Sequence, residues 1–357
     1  MMADLSGPPA NPSSIHSFGK RAKKILNASR QTTARYFWGG QGDIVFTSGG
    51  TESINLLLRS LPKGHIITTD LEHACVYRTL KTLESEGFSV TFLSPNLFGA
   101  PTPDAIEAAI RPDTRAIVLS ASNGETGVKT DLSAIAAMAM RRCIPVLLDA
   151  VSYIGKEPLP LLPGISAIAL SGHKFHGPKG IGALFIRSPF KITPLSMGGN
   201  QESMRRAGTE NLAGILGLAE ALQILQENQP AFTAHILALR THFETELFRA
   251  VADLSINGLG PRISNTSNIA FHGCDGETLL LHLDMVGIAA SHGSACSAGA
   301  LEPSRVLLNM GLDRKTARSS IRFSLSRLQT KQEIDLALER IVPLVRKLRS
   351  LTGGTNR

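Results

Sequence analysis

Residues 169–180 read ALSGHKFHGPKG, and this stretch contains the features that decide the fold class. The apolar run Ala167–Leu170 predicts a buried strand, and the small residues and Gly-Pro after it predict a tight turn. Lys174 follows the strand directly and is not placed like a solvated lysine. A lysine in such a setting can act as a nucleophile and form a Schiff base. In isolation, a lysine beside Gly-Pro is more typical of an ordinary charged turn.

Short apolar runs alternate with amphipathic segments on both sides of this stretch. The alternation predicts βαβ units, and therefore an α/β fold with a mainly parallel, doubly wound sheet. Ligands of such sheets bind where the carboxyl ends of strands meet helix N-termini. The strand candidates are Ile44–Phe46, His65–Thr68, Ser89–Leu93, Ala116–Leu119, Pro145–Leu148, Ala167–Leu170 and Ala183–Ile186.

The pattern changes in the last third of the chain. A long helical region from about Asn211 to Ala250 is predicted, with a hinge near Asn228–Pro230, and a smaller α+β unit follows it. The predicted strands of that unit are Asn268–His272, Gly287–Ala290 and Ser320–Ser324. The predicted division is an N-terminal arm over 1–14, a large domain over 15–228 and a small domain over 229–357.

Length and composition limit the classes of protein that remain. The chain has 357 residues, 43% hydrophobic and 18% charged, which suits roughly two globular domains and excludes wholesale disorder, collagen and coiled coil. Its four cysteines show no CxxC or zinc-like spacing, which favours a reducing compartment. The same cysteine spacing leads us to expect no metal site. Because neither a signal peptide nor a long apolar run is visible, we also expect a cytoplasmic protein with no membrane span.

The net charge of +8 can steer anionic partners, although generic surface charge is the simpler interpretation. No dense Lys/Arg run or RNA-binding signature occurs, so a nucleic-acid partner is not indicated.

Two further strand ends carry candidate ligand-binding groups. Residues 47–52, TSGGTE, follow a strand and open a helix, so backbone N–H groups and hydroxyls there suit an anion, although a simple capped turn is an equal alternative. Asp149 ends the buried run Ile144–Leu148 and could pair with a protonated ring nitrogen, bind a metal or cap the next helix.

Three other residues are candidates for chemistry. His73, just after a strand, could stack on a flat cofactor or move protons, or serve only a structural role. Cys296 lies among small residues in SHGSACSAGA, which suits a nucleophile that must travel to its substrate. Arg322 alternates with apolar residues on a short strand, where a substrate carboxylate and a structural ion pair are equally good explanations.

Taken together, an anion-binding turn, a strand-end Asp and a strand-end Lys describe a site for pyridoxal 5′-phosphate (PLP). At this point the sequence resembles the cysteine desulfurases of the NifS/IscS type, which have the class-V aminotransferase fold (fold type I). The segments that carry the resemblance run in family order: NPSSIHSFG from Asn11, IVFTSGGTES from Ile44, HIITTDLEHACV from His65, SGHKFHGPKGIGALF from Ser171, RAGTEN from Arg206, SHGSACSAGALEPS from Ser291 and SSIRFSL from Ser319.

The resemblance implies a role for each of these candidates. Lys174 would hold PLP covalently and later move a proton, Asp149 would pair with the pyridinium nitrogen, and His73 would stack on the ring. The residues implied in phosphate binding are Gly50, Thr51, Ser171 and His173, with Thr209 reaching across from a second subunit of a homodimer.

The resemblance also implies the substrate and the partner. Arg322 and Asn123 would bind L-cysteine, and Cys296 would take its sulfur as a persulfide and leave L-alanine. The persulfide would pass to a sulfur-acceptor protein such as an iron–sulfur scaffold, and Cys296 is a candidate for a transient iron–sulfur ligand.

Three departures from the family's pattern favour a weaker or inactive homologue as an alternative. The opening strand-forming segment of the family is missing or degenerate here. Gly124 stands where the family has Asn, and Ser152 stands where a Gln contacts the cofactor, so any contact from its hydroxyl would need a bridging water. A selenocysteine lyase or related aminotransferase-fold enzyme is the other alternative, and the mobile Cys296 argues against an aminotransferase.

Overall fold

The computed structural model describes Met1 and residues 6–37, 42–293 and 302–353, and the chain divides into two compact units. The first unit consists of residues 1–93, 102–121 and 131–229, and the second of residues 94–101, 122–130 and 230–357.

The first unit contains a seven-stranded sheet with the order β1-β7-β6-β5-β4-β2-β3. The five strands from β3 to β6 in that order run parallel, whereas β7 is antiparallel to both β6 and β1. The predicted α/β fold with a mainly parallel sheet is confirmed. The strands are β1 (Asp43–Thr47), β2 (His65–Thr69), β3 (Ser89–Leu93), β4 (Thr114–Ser120), β5 (Val146–Asp149), β6 (Ile165–Ser171) and β7 (Gly182–Ile186).

Helices cover both faces of this sheet. They are α1 (Ser17–Tyr36), α2 (Gly50–Arg59), α3 (Ala74–Ser85), α4 (Pro103–Ala108) and α5 (Leu132–Arg141). Ile66 packs in a core cluster with residues of α2 and α3, whereas its neighbour Ile67 packs with residues of α4 and α5. Because successive side chains of a strand point to opposite faces, β2 is buried on both sides, its His and Thr residues included.

Side-chain caps begin several helices where the sequence has Thr or Asp before an apolar segment. Thr102 accepts a hydrogen bond from the N–H of Ala105, and Asp131 accepts one from the N–H of Ala134. Because β2, β4, β5 and β6 run parallel, their carboxyl ends lie at one edge of the sheet.

The second unit contains a three-stranded antiparallel sheet with the order β10-β9-β8. Its core joins this sheet to helices, with Phe243, Phe271 and Phe323 among the buried residues. The strands are β8 (Leu254–Ile256), β9 (Thr266–Phe271) and β10 (Ser320–Ser324), and the helices are α7 (Gly276–Met285), α8 (Arg305–Asn309), α9 (Arg314–Arg318) and α10 (Lys331–Gly353).

One expectation about this part of the chain is wrong. Residues 287–290 do not form a strand, and the turn at Gly287 has a positive φ of 79°. The predicted long helical region is confirmed as α6 (Leu212–Ala250), which continues through Pro230, and the boundary between the two units falls at that residue. No helix in the described ranges is long and apolar enough to cross a membrane.

Candidate functional site

An anion-binding turn joins β1 to α2 in the first unit. Gly49 caps α2 without a side-chain hydrogen bond, and the first N–H groups of such a ten-residue helix have no acceptor within the helix. The turn lines a cavity of about 380 Å³. Four residues predicted to hold a phosphate line this one cavity: Gly50, Thr51, Ser171 and His173. The structure thus brings together groups from β6 and α2 that are about 120 positions apart in the sequence.

The turn requires small residues because the backbone approaches its neighbours closely. A Cβ atom on Gly50 would lie 2.5 Å from Cγ2 of Val151. One on Gly182 would lie 2.6 Å from Cα of Gly49. Larger side chains at either glycine would push the turn away from the carboxyl ends of β5 and β6.

The segment around Lys174 forms a tight turn after β6. Ser171 is buried, with its Oγ 3.1 Å from Nδ1 of His173, and residues 172–175 form a 3-10 turn. The side chain of Lys174 is exposed, and its carbonyl oxygen accepts a hydrogen bond from Nζ of Lys156.

Partial burial, together with the positive charges of Lys174, Lys156 and Lys179, lowers the pKa of His173. Its imidazole is therefore neutral near pH 7 and offers one donor and one acceptor beside the anion cavity.

Asp149 ends β5 and is 6% exposed. Its Oδ1 accepts a hydrogen bond of 2.9 Å from the N–H of Val151. Residues 151–156, which include the half-buried Ser152, form a turn, so Asp149 does not cap a helix. Burial raises the pKa of this carboxyl, whereas the hydrogen bond from Val151 and the charges of His73 and Lys174 oppose the rise. A buried carboxylate at a strand end can pair with a protonated ring nitrogen.

His73 is fixed at the N-cap of α3. Its Nδ1 accepts a hydrogen bond of 3.2 Å from the N–H of Cys75 and lies 3.0 Å from the sulfur of that residue. The ring is exposed. Because its charge acts on Asp149, it lies near the strand end that Asp149 occupies.

Thr209 lies in the exposed segment RAGTEN of the first unit. Arg206 of that segment pairs with Glu52 of the anion-binding turn, with Nε and Oε1 2.9 Å apart. Burial raises the pKa of Glu52, but hydrogen bonds from Arg206 and Ser48 outweigh it and hold the pKa below its usual range. The contact between Glu52 and Arg206 was not predicted; the available signal was an acidic residue in one family segment and a basic residue in another.

Two residues predicted to bind the substrate lie in the second unit. Arg322, half-buried on β10, donates from Nη1 to the carbonyl oxygen of Gly124 at 2.8 Å. Asn123 is 8% exposed, and its Oδ1 accepts hydrogen bonds from the N–H groups of Glu125 and Thr126 at 2.9 and 3.0 Å. The Asn123 side chain therefore shapes the turn that presents the Gly124 carbonyl to Arg322.

A buried carboxylate in the same unit was missed by sequence reasoning. Glu125, 7% exposed, accepts a hydrogen bond of 2.5 Å from the hydroxyl of Ser304.

Cys296 lies outside the described residues. Within the described part of the chain, no cluster of His, Cys, Asp and Glu could hold a metal ion.

Comparisons with known proteins show the family of the chain. The sequence pattern of the Aminotransferase class-V family matches residues 3–337. A cysteine desulfurase of Nostoc sp. is 40% identical over 353 residues, which cover 97% of this chain and 88% of the relative. A protein named cysteine desulfurase IscS from Dictyoglomus turgidum is 37% identical over 350 residues, covering 96% and 89%.

Solved structures give the same result. A NifS-like protein from Rickettsia africae superposes with a TM-score of 0.88 at 28% identity, covering 97% of this chain and 94% of the other. Another NifS-like protein gives a TM-score of 0.86 at 32% identity, covering 95% and 92%. With the family pattern spanning nearly the whole chain, this protein belongs to the class-V aminotransferase family, among the cysteine desulfurases.

Proposed function

We propose that this protein is a PLP-dependent cysteine desulfurase that converts L-cysteine to L-alanine and transfers the sulfur to an acceptor protein. The observation that carries the proposal is the placement of Asp149, a buried carboxyl whose pKa is raised by burial and lowered by the nearby Lys174 and His73. It ends β5 at the same sheet edge as the anion cavity. The substrate is inferred from the names of the relatives, which match over most of their own length.

The residues of the first unit fit PLP. A phosphate suits the cavity formed by the α2 N-terminus, Ser171 and His173, and a pyridinium nitrogen suits the buried Asp149. The exposed ring of His73 supplies a stacking surface, and Lys174 supplies the amine. When bound, PLP supplies the electron sink that makes the bonds at the substrate Cα atom labile. Ser152 is placed in the turn after Asp149, where its hydroxyl would act on the cofactor through water.

Two residues of the chain handle the amino acid itself. The Lys174 amine would remove and return the proton at the substrate Cα. Nη1 of Arg322 donates to the carbonyl oxygen of Gly124, and the other N–H groups of the guanidinium would bind the substrate carboxylate. Asn123 shapes the turn that presents the Gly124 carbonyl.

Cys296 would perform the sulfur transfer. Its thiolate attacks the sulfur of the substrate, so that an S–S bond forms and the Cβ–S bond of the substrate breaks with its electron pair left on carbon. Protonation of that carbon gives L-alanine, and the sulfur stays on Cys296 as a persulfide. The transfer needs no external oxidant, and an acceptor such as an iron–sulfur scaffold would take the persulfide sulfur.

A homodimer would complete the site. Thr209, in the exposed segment 206–211, would contact the phosphate bound by a second copy of the chain. The pairing of Arg206 with Glu52 holds this segment against the anion-binding turn of its own chain.

The proposal is tested by assaying the protein reconstituted with PLP. We expect equal amounts of sulfide and L-alanine from L-cysteine in the presence of a thiol reductant. Cys296→Ala should keep the visible absorbance of bound PLP and lose sulfide release, whereas Cys143→Ala, a matched cysteine control, should keep both. Protein that binds PLP but releases no alanine would contradict the proposed reaction, and turnover by Cys296→Ala would contradict the role of that thiol.

A further inference from the structure

Glu72 is a buried carboxyl that the proposed reaction does not use. It is 3% exposed and lies in the turn between β2 and α3, directly before His73. Its Oε1 accepts a hydrogen bond of 2.8 Å from the hydroxyl of Thr69, the last residue of β2. Its Oε2 accepts hydrogen bonds from the N–H and the hydroxyl of Ser120, at 2.9 and 2.5 Å.

These hydrogen bonds connect two neighbouring strands at the edge where the cofactor site lies. Ser120 ends β4 and is in register with Asp149, the last residue of β5. The N–H of Ala121 donates to the Asp149 carbonyl oxygen at 2.8 Å, which continues the connection by one strand. One side chain therefore fixes the turn that carries His73 relative to the strand end that carries Asp149.

The charge of Glu72 also bears on Asp149. The pKa of Glu72 is raised to about 7, because burial and the charge of Asp149 outweigh the opposing hydrogen bonds from Ser120 and Thr69. Three other titratable groups act on this pair. Cys75 of α3 has a pKa raised by burial and by both carboxylates, and His73 at the N-cap of α3 and Lys174 after β6 both oppose the rise in the pKa of Asp149. Below about pH 7, protonation of Glu72 removes one of the two negative charges at this site and leaves the other available to Asp149.

We propose that Glu72 is a positioning residue of the PLP site: by bridging Thr69 and Ser120 it holds the His73 ring, which would stack on the cofactor, in a fixed position relative to the Asp149 carboxylate, which would pair with the ring nitrogen. This inference rests on the proposed function. A neutral side chain of the same length satisfies the bridge, because the amide oxygen of Gln can accept from the Ser120 N–H and its NH₂ group can donate to a hydroxyl oxygen.

The test measures PLP binding to the apoprotein and the visible circular dichroism of bound PLP, which reports the orientation of its ring. We expect Glu72→Ala and the shorter Glu72→Asp to weaken PLP binding by about tenfold, the equivalent of one or two lost hydrogen bonds, and to change the dichroism. We expect Glu72→Gln to restore both to near the parental values. Glu244→Gln is the matched control, since Glu244 is a carboxylate paired with Arg262 in the second unit, and it should change neither.

Each outcome decides a separate question. Folded Glu72→Ala that binds PLP with the parental affinity and dichroism would overturn the role of Glu72, and so would Glu72→Gln that is as impaired as Glu72→Asp. If Glu72→Ala does not fold, Ser120→Ala, which removes the hydroxyl and keeps the N–H, gives the same comparison at one end of the bridge. A parental chain that binds no PLP would instead contradict the proposed function.

Discussion

Replacing Glu72 with Gln should change how the stability of the apoprotein depends on pH. The carboxyl of Glu72 is buried beside Asp149, and burial raises its pKa from 4.5 to about 7. In the unfolded chain the group returns to its ordinary value. The folded state therefore binds more protons than the unfolded state between these two values, and the parental protein loses stability as pH rises through this window. A Gln side chain does not titrate, so the variant lacks this loss.

The size of the effect follows from the two pKa values. The interval between 4.5 and about 7, at about 1.36 kcal/mol for each pKa unit, corresponds to roughly 3 kcal/mol. Most of it, about 2.5 kcal/mol, falls between about pH 5 and about pH 8.5, because the unfolded-state carboxyl is already largely ionised at the lower limit. The stability of Glu72→Gln relative to the parent should rise by this amount over that range.

Urea denaturation of both apoproteins at the two pH values measures the difference. Glu244→Gln is the control, because the pKa of Glu244 is shifted in the opposite direction to that of Glu72. Burial raises the pKa of Glu244, but hydrogen bonds and the charge of Arg262 outweigh it and hold the pKa below its usual range, so the stability it contributes is lost only as pH falls into the acid range. Its cost should be the same at both pH values. A difference between parent and Glu72→Gln that does not vary with pH would refute the reasoning about Glu72.

Three further predictions concern other contacts. Glu202 is buried, pairs through both oxygens with Arg30 at 2.6 and 2.7 Å and accepts from the N–H of Phe46, so Glu202→Ala should lower the free energy of unfolding by about 3 kcal/mol. The ion pair of the exposed Asp43 with Arg205 serves as the control, since Asp43→Asn should lower the free energy of unfolding by less than about 1 kcal/mol. Guanidinium denaturation measures both variants, and equal losses of stability would contradict the stabilising role of the Glu202 contacts. Arg322→Lys should raise KM for L-cysteine about tenfold and leave the absorbance of bound PLP unchanged. The reason is that a single lysine amine cannot replace the guanidinium in donating to both the Gly124 carbonyl oxygen and a carboxylate, and an unchanged KM would exclude the carboxylate role of Arg322. A thiol reagent should alkylate the exposed Cys143 before Cys75, whose pKa is raised by burial, Asp149 and Glu72, and faster labelling of Cys75 by peptide mass spectrometry would contradict that environment.

The sequence predicted the strands of the first unit because most of them are short apolar runs. Ile44–Phe46, for example, lies within β1, and Ala167–Leu170 lies within β6. Gly287–Ala290 is also apolar, but it is a short run after a helix, and it forms a turn and loop. The next residue, Ser291, pairs with a strand, in an isolated bridge to Arg322 of β10. β8 was not predicted, since its three residues are only half-buried and carry little pattern.

The strand-end candidates could be predicted because topology alone brings them together. Lys174 and Asp149 follow neighbouring parallel strands, so their proximity follows from the fold class. The contacts of Glu72 with Ser120 and of Glu202 with Arg30 join positions 48 and 172 residues apart, and no local pattern marks such pairs. Their roles emerge only from burial and distance in the folded chain.

The covalent attachment of PLP gives the most direct test of the central claim, that this chain binds PLP through Lys174. The complex is reduced with borohydride, digested and analysed by mass spectrometry, which locates the lysine that carries the cofactor. We predict the modification on the peptide that contains Lys174. Modification on Lys156 or Lys179, which lie near it, or on no lysine at all, would contradict the account.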